Sequence, residues 1–237
     1  MNPDVSSAKP TVARLNAVLA ALRPHLRGEV TPEERPPARI DSAQLQRLLG
    51  DLMAPLAAAR ADGRLANPWT IAGLRRDEVR TAAVLAWLLD PSGSHGAGDT
   101  YAKALWRRTT LADRFSLAGL EKVVTEQRPL GDDFNRVDVV LEGADFLVFI
   151  EVKIGAPLRD RQLEDYADAL ARKAAHHGKR HSALLLLSIA TPPVPDGCGH
   201  FSWRDAARAI REGALSLDRR AHAVRLALSF ADHIDRL

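Results

Sequence analysis

The 237-residue chain is 46% apolar, with 33 Lys and Arg against 30 Asp and Glu and a formal net charge of +3. It has ample material for a core and none of the charge excess of a disordered or nucleic-acid-coating tail. A pI near 9.3 is compatible with a phosphate-rich partner without naming one. The single cysteine, Cys198, excludes an internal disulfide and a cysteine-based zinc site and favours a reducing compartment. No apolar run approaches the about 20 residues of a membrane span. The first residues hold Asp4 and Pro10 and lack the apolar centre of a signal peptide. The expectation is a cytoplasmic protein without a membrane partner.

In chain order, Val12, Leu15, Val18, Leu19 and Leu22 recur at helical spacing over residues 11–23, and a proline-rich connector follows over 28–40. Asp41 or Ser42 caps a second helix whose Leu45, Leu48, Leu49, Leu52 and Leu56 form one apolar stripe. These two helices are expected to pack on each other, on the rest of the chain or on a second copy. Asp77 caps a helix to about Leu89, with Glu78 in its first turn and Val79, Ala83, Ala86 and Leu89 among its buried positions. The glycine-rich stretch 91–100 breaks it, and Asp99 or Thr100 starts another helix carrying Tyr101, Leu105, Trp106, Arg107 and Arg108. Val123–Gln127 reads as a first strand, running into a turn over 131–133.

Two strand-like runs flank residues 142–145, and a tight turn centred on Gly143 and Ala144 folds them into a hairpin. In that register Asp138 lies opposite Phe149, and Glu151 is a diagonal neighbour at about 7–8 Å on the same face. Lys153 shares that face. The other carries Val137, Val139, Leu141, Phe146, Val148, Ile150 and Val152, and must pack against helices. Two carboxylates brought to about 4 Å repel by ~4 kcal/mol at an effective dielectric near 20. Either one is protonated or a cation lies between them. Oxygen ligands on adjacent strand ends suit Mg2+, and Lys153 then faces a metal-bound water or a phosphate oxygen.

Beyond Lys153, a Gly-Ala-Pro break leads to a helix over residues 159–176 with the inner stripe Leu163, Tyr166, Ala167 and Leu170, and with Gln162 one residue ahead of it. Residues 183–189 are apolar on both faces, as in a central strand, and the helical crossover makes that strand parallel to the preceding one. A Pro and Gly loop spans 191–199. Helices over 203–213 and 218–237 close the chain. The fold expected is α/β, a small mixed sheet flanked by helices over residues 65–237, preceded by a helical segment over 1–64.

The order helix, strand, hairpin, helix, strand, with Asp138 and then Glu151-Val152-Lys153 on neighbouring strands, resembles the PD-(D/E)XK nuclease superfamily. The resemblance extends through the LLDP and HGAG segments, RVDVV, IEVK, QLEDY and a late Ser-Trp, roughly residues 68–205. It implies a restriction-endonuclease-like core and a nuclease hydrolysing phosphodiester bonds with Mg2+, or Mn2+ as substitute. It implies DNA in preference to RNA, and a setting such as bacterial defence or DNA processing. It assigns metal binding to Asp138, Glu151 and the backbone carbonyl of Val152, water activation to Lys153, an extra carboxylate to Glu78 or Glu126, and a contact with the metal waters or the phosphate to Gln162. Related chains often carry His-Ser where Thr81-Ala82 stands here, and Asn in place of Val152; neither difference removes a primary ligand.

Plainer readings compete. Strand-end charges often form surface ion pairs contributing only ~0–1 kcal/mol, and Glu78 suits a helix N-terminus electrostatically. His95 reads as a loop-ordering hydrogen bonder, Tyr166 and Trp203 as core, and Arg107, Arg108 and Arg114 as helix surface or backbone contacts. His176, His177, Lys179, Arg180 and His181 read as a solvated basic loop able to touch phosphate. The rival to an enzyme is a nucleic-acid-binding or assembly module that keeps the fold without turnover. A homodimer or a partner subunit is a further expectation, since no separate recognition domain is visible.

Overall fold

The computed structural model describes residues 41–127, 137–190 and 192–237. The chain divides into two compact units, Met1–Ala66 and Asn67–Leu237. In the first, helix α1 (Ser42–Ala61) begins where Asp41 accepts a hydrogen bond from the Ala43 N–H. None of its residues is buried; Leu45, Leu49, Met53 and Leu56 stand exposed. The predicted helix over 11–23, the connector over 28–40 and the turn over 131–133 lie outside the described residues.

The second unit is an α/β domain on a five-stranded mixed sheet. After the short helix α2 (Pro68–Ile71), α3 (Glu78–Leu89) and α4 (Thr100–Trp106) precede the strands β1 (Leu120–Gln127), β2 (Val137–Gly143) and β3 (Phe146–Val152). Helix α5 (Gln162–His176) crosses over to β4 (His181–Ser188) and β5 (Cys198–Ser202), and α6 (Trp203–Gly213) and α7 (His222–Ile234) follow. The strands lie in sequence order; β1, β2 and β3 pair antiparallel, and β3, β4 and β5 pair parallel. Among the described residues no helix is long and apolar enough to cross a membrane.

Both sheet faces are covered, as the apolar run over 183–189 implied, whereas the alternation of the hairpin placed core on one face alone. Val139, Leu141, Val148, Ile150 and Val152 pack with α3, α4, α6 and α7. On the opposite face Val140, Leu147 and Phe149 pack with Leu163, Tyr166 and Leu170 of α5. Val137 joins this second group, not the first as its alternation suggested. The carboxylate face is thus a core face, and charges at its end are taken out of water.

Several elements shift from expectation. Helix α3 buries Thr81, Ala82, Leu85, Ala86, Leu88 and Leu89, while Val79 and Ala83 are exposed. Its inward stripe is therefore 78, 82, 85 and 89, which carries Glu78 toward the sheet. Helix α4 ends at Trp106, leaving Arg107 and Arg108 beyond it to bridge Glu212 at 3.1 and 2.9 Å. Helix α5 starts at Gln162, after Arg161 in the left-handed region at φ 55°, and Ala167 is exposed while Ala169 is buried. Helix α7 is shorter than residues 218–237. Strand β5 lies where a loop was expected to run to residue 199; at five residues, with Gly199 against Leu111 and Leu185, it shows too little periodicity to be read.

Candidate functional site

The hairpin register decides the site. Val139 pairs with Ile150, Val140 with Phe149 and Glu142 with Leu147, so one further step sets Asp138 directly across from Glu151. The tight turn is thereby Ala144-Asp145, two residues out of step with the predicted pairing of Asp138 and Phe149. Gly143 is buried within β2, where a Cβ would run into the Phe146 ring and the Gly119 carbonyl. That glycine answers a close approach inside the sheet and not a turn conformation.

Asp138 and Glu151 face each other at the open end of the hairpin, close enough for the charge of one to raise the carboxyl of the other. The Val152 N–H donates to Asp138 Oδ2 at 2.8 Å. Glu151 is 2% exposed; its Oε1 takes Lys153 Nζ at 2.8 Å and Gln162 Nε2 at 2.6 Å. Its Oε2 is fully buried and, among the described residues, has no hydrogen-bond partner. Burial, then the charge of Asp138, pushes the Glu151 carboxyl up to about 8. Burial also raises the Asp138 carboxyl, against the opposing Val152 N–H. Lys153 goes the other way from its burial: desolvation is the largest influence and lowers its pKa, but the bond to Glu151 together with the charges of Glu151, Glu78 and Asp138 outweighs it and raises the amine. Near neutral pH, then, Glu151 holds a proton that a free glutamate releases, beside a second acid whose pKa is also raised.

Glu78 is close to this pair but differently engaged. Its Oε1 accepts the backbone N–H groups of Ile154, Gly155 and Ala156 at 2.7, 2.9 and 3.0 Å. Burial raises its carboxyl, and these three donors more than reverse the effect, leaving its pKa below the usual range. Glu78 therefore clamps the backbone that follows Lys153. Glu126 lies on β1, but its side chain is outside the described residues.

Gln162 is buried at the first position of α5. Its Nε2 reaches Glu151 and, at 3.2 Å, the Tyr166 hydroxyl; its Oε1 accepts the Arg159 N–H at 3.0 Å. It holds the Glu151 carboxylate directly, where a contact with waters or phosphate was expected. Tyr166, read as core only, belongs to this network as well. So does Trp203, whose Nε1 donates to the Lys153 carbonyl at 3.1 Å, while Arg76 donates to the Ile154 carbonyl at 2.9 Å. A polar-tipped aromatic at i+4 from Gln162 was the available signal for Tyr166, and the Ser-Trp of the family resemblance was the signal for Trp203; for Arg76 the chain offered none.

Other candidates fall elsewhere. His95 accepts the Ala97 N–H at Nδ1 and contacts the Asp90 carbonyl through Nε2, which orders the loop after α3. The basic loop is largely solvent-exposed, as expected, and also engaged with the hairpin: Lys179 reaches Glu142 at 3.0 Å and the Gly143 carbonyl at 2.8 Å, Arg180 pairs with Asp145, and His181 stacks on Phe115. Lys179 and Arg180 thereby tie the loop to the hairpin turn.

The donor set fits one kind of metal. Among the described residues no group of three or more His, Cys, Asp or Glu is placed to hold an ion, which argues against a zinc-type cage. Mg2+ takes one or two carboxylates and keeps its waters. Asp138 and Glu151, with an orphaned oxygen that otherwise costs about 1–3 kcal/mol, match that demand. A search by family matches the PD-(D/E)XK nuclease superfamily over residues 66–199. No curated protein and no solved structure matches the chain.

Proposed function

We propose that this chain, which belongs to the PD-(D/E)XK nuclease superfamily, is a metal-dependent nuclease that hydrolyses phosphodiester bonds of DNA. The observation that carries the reading is Glu151 Oε2, buried and unpartnered beside Asp138. In a purely structural ion pair both acids would be neutralised by cations at the cluster, whereas among the described residues one ammonium, that of Lys153, bonds one oxygen of Glu151. Asp138, Glu151 and the Val152 carbonyl would hold Mg2+ or Mn2+. When bound, the cation supplies positive charge against the phosphate and a more acidic water.

The chain's own groups set the rest. Lys153, kept charged by Glu151, offers its ammonium protons to a phosphate oxygen or to the attacking water, stabilising charge as it develops. Gln162 fixes the Glu151 rotamer through Nε2, and its own orientation is locked by Arg159 and Tyr166. Glu78 holds the backbone of residues 154–156, and Trp203 holds the Lys153 carbonyl, so the ammonium is presented from a rigid strand end. Glu78 is in this reading a positioning residue, not a ligand.

The test is cleavage of plasmid, linear duplex and single-stranded DNA, and of RNA, in Mg2+ or Mn2+. Wild type is expected to cut DNA, and Asp138→Ala and Lys153→Ala to lose at least about 10²-fold in rate. A wild-type protein that cuts nothing and binds neither metal by calorimetry would overturn the reading and leave a nucleic-acid-binding module of the same fold.

A further inference from the structure

A recess of about 440 Å3 opens at the carboxyl ends of the parallel strands β3 and β4, where open α/β sheets commonly receive ligands. Residues 153–158 wall one side, and Leu186, Ser188, Ile189, Ala190 and Pro192 the other. Its size falls within the about 300–1,000 Å3 of small-molecule sites. Among the described residues Lys153 is the one charged residue of the lining, and the same ammonium bonds Glu151 at 2.8 Å. Ser188 is the one hydroxyl-bearing residue among those described there, and that hydroxyl is already engaged by the Ala190 carbonyl and, at 3.0 Å, by His200 Nε2.

The walls are fixed independently of any occupant. Glu78 gathers the N–H groups of 154–156 on one side; the Ser188 contacts hold the turn after β4 on the other. A site that is preformed, apolar, and cationic only where it meets the two carboxylates suits a ligand with an apolar body and an anion at one end. In a nucleic-acid strand running past Lys153, that body is the base and sugar attached to the phosphate at the carboxylates.

We infer that the recess receives the nucleoside next to the scissile phosphate, so that the protein cuts strands that leave this nucleotide unstacked, single strands and splayed ends, in preference to intact duplex. The inference rests on the nuclease reading above and adds the substrate class. A base within a duplex is stacked and paired, and turning it into a side recess costs free energy that a single strand does not demand. Aliphatic walls accept any base by its face, which gives little sequence preference.

Ile189, 40% exposed, is the residue to change. Ile189→Asp sets a carboxylate in the apolar wall, and Ile189→Ala removes contact area without adding charge; melting midpoints and Mn2+ calorimetry establish that both fold and keep the metal site. The substrates are a fluorescent single-stranded oligodeoxynucleotide, its duplex, and the same strand with an abasic residue beside the cleaved phosphate. Wild type is expected to cut the single strand at least about tenfold better than duplex in kcat/KM. Ile189→Asp should lose about tenfold on the single strand, chiefly through KM, and the abasic residue should cost wild type more than it costs the variant. Anisotropy of the single strand in Ca2+ should show the same loss of binding.

Equal cutting of duplex and single strand, with Ile189→Asp unaffected, overturns the recess assignment and leaves the nuclease standing. Wild type that neither cuts nor binds metal sinks the nuclease; Ca2+-independent binding of the single strand, still weakened by Ile189→Asp, would then support the recess, and unweakened binding would overturn it too.

Discussion

The β2–β3 hairpin carries acidic pairs at both of its ends, and the two ends treat them in opposite ways. At the turn, Glu142 meets Lys179 at 3.0 Å and His177 at 3.5 Å, and Asp145 pairs with Arg180. Burial is the largest single influence on the Glu142 carboxyl and raises it, but the Lys179 bond and the charges around it together prevail and lower its pKa. At the open end Asp138 and Glu151 face each other in a covered position, and burial raises both. The residue types are the same and the strands are the same. What differs is the count of cations and the access of water: neutralised acids tie a turn to the next loop, while buried acids short of cations carry an unfavourable charge that a proton or a bound cation relieves.

Exchanging one acid at each end breaks the comparison most sharply. Glu151→Gln should cut DNA cleavage by about a thousandfold or more, a loss of several kcal/mol of charge stabilisation, whereas Glu142→Gln should leave the rate within about twofold, since a partner swap at a partly exposed ion pair touches little else. Initial rates on one oligonucleotide compare the two. Equal losses would place the chemistry outside the open end.

A smaller effect separates the ends by pH. In metal-free protein the folded Glu151 keeps its proton up to about pH 8, while the unfolded chain releases it in the ordinary carboxylate range. Between these values the folded state binds the extra proton, so stability falls as pH rises from about 5 to about 8. Glu142 has the reverse sign: its lowered pKa contributes stability above the ordinary carboxylate range that is lost on acidification. Melting midpoints in chelator across that span should slope downward with pH in wild type and flatten in Glu151→Gln. An unchanged slope in the variant would assign the proton elsewhere.

The smallest expected change is at the turn. Lys179→Met removes the partner of Glu142 and a donor to the Gly143 carbonyl, and should cost about 1–2 kcal/mol by chemical denaturation. Pairing it with Glu142→Gln in a double-mutant cycle isolates the charge contribution. A coupling indistinguishable from zero would show that the turn is held by packing alone.

Much of this arrangement was legible along the chain. The caps at Asp41 and Asp77 were readable because side-chain oxygens at those positions satisfy helix N–H groups locally, and the apolar run over residues 183–187 announced a strand covered on both faces. The phase of α3 was misread because its alanines leave the apolar stripe ambiguous; taking Glu78 as an inward position would have selected Ala82, Leu85 and Leu89. The hairpin register was misread at Gly143, since a glycine beside a turn looks the same whether it serves a turn or makes room for an aromatic ring. The solvated basic loop was legible as such, but its ion pairs were not, because the acids it meets, Glu142 and Asp145, lie more than thirty residues away.

What the sequence determined by itself was the set of elements and the presence of Asp138, Glu151 and Lys153 on adjacent strand ends, for these follow from periodicity, caps and alternation over a few residues. The tertiary structure alone decided that Asp138 faces Glu151, that α5 covers their face of the sheet, that Glu78 clamps the backbone after Lys153, and that Gln162 leaves one Glu151 oxygen without a partner. Those outcomes depend on burial and on contacts between distant segments. The free energy that raises a carboxyl's pKa belongs to its surroundings and not to the residue.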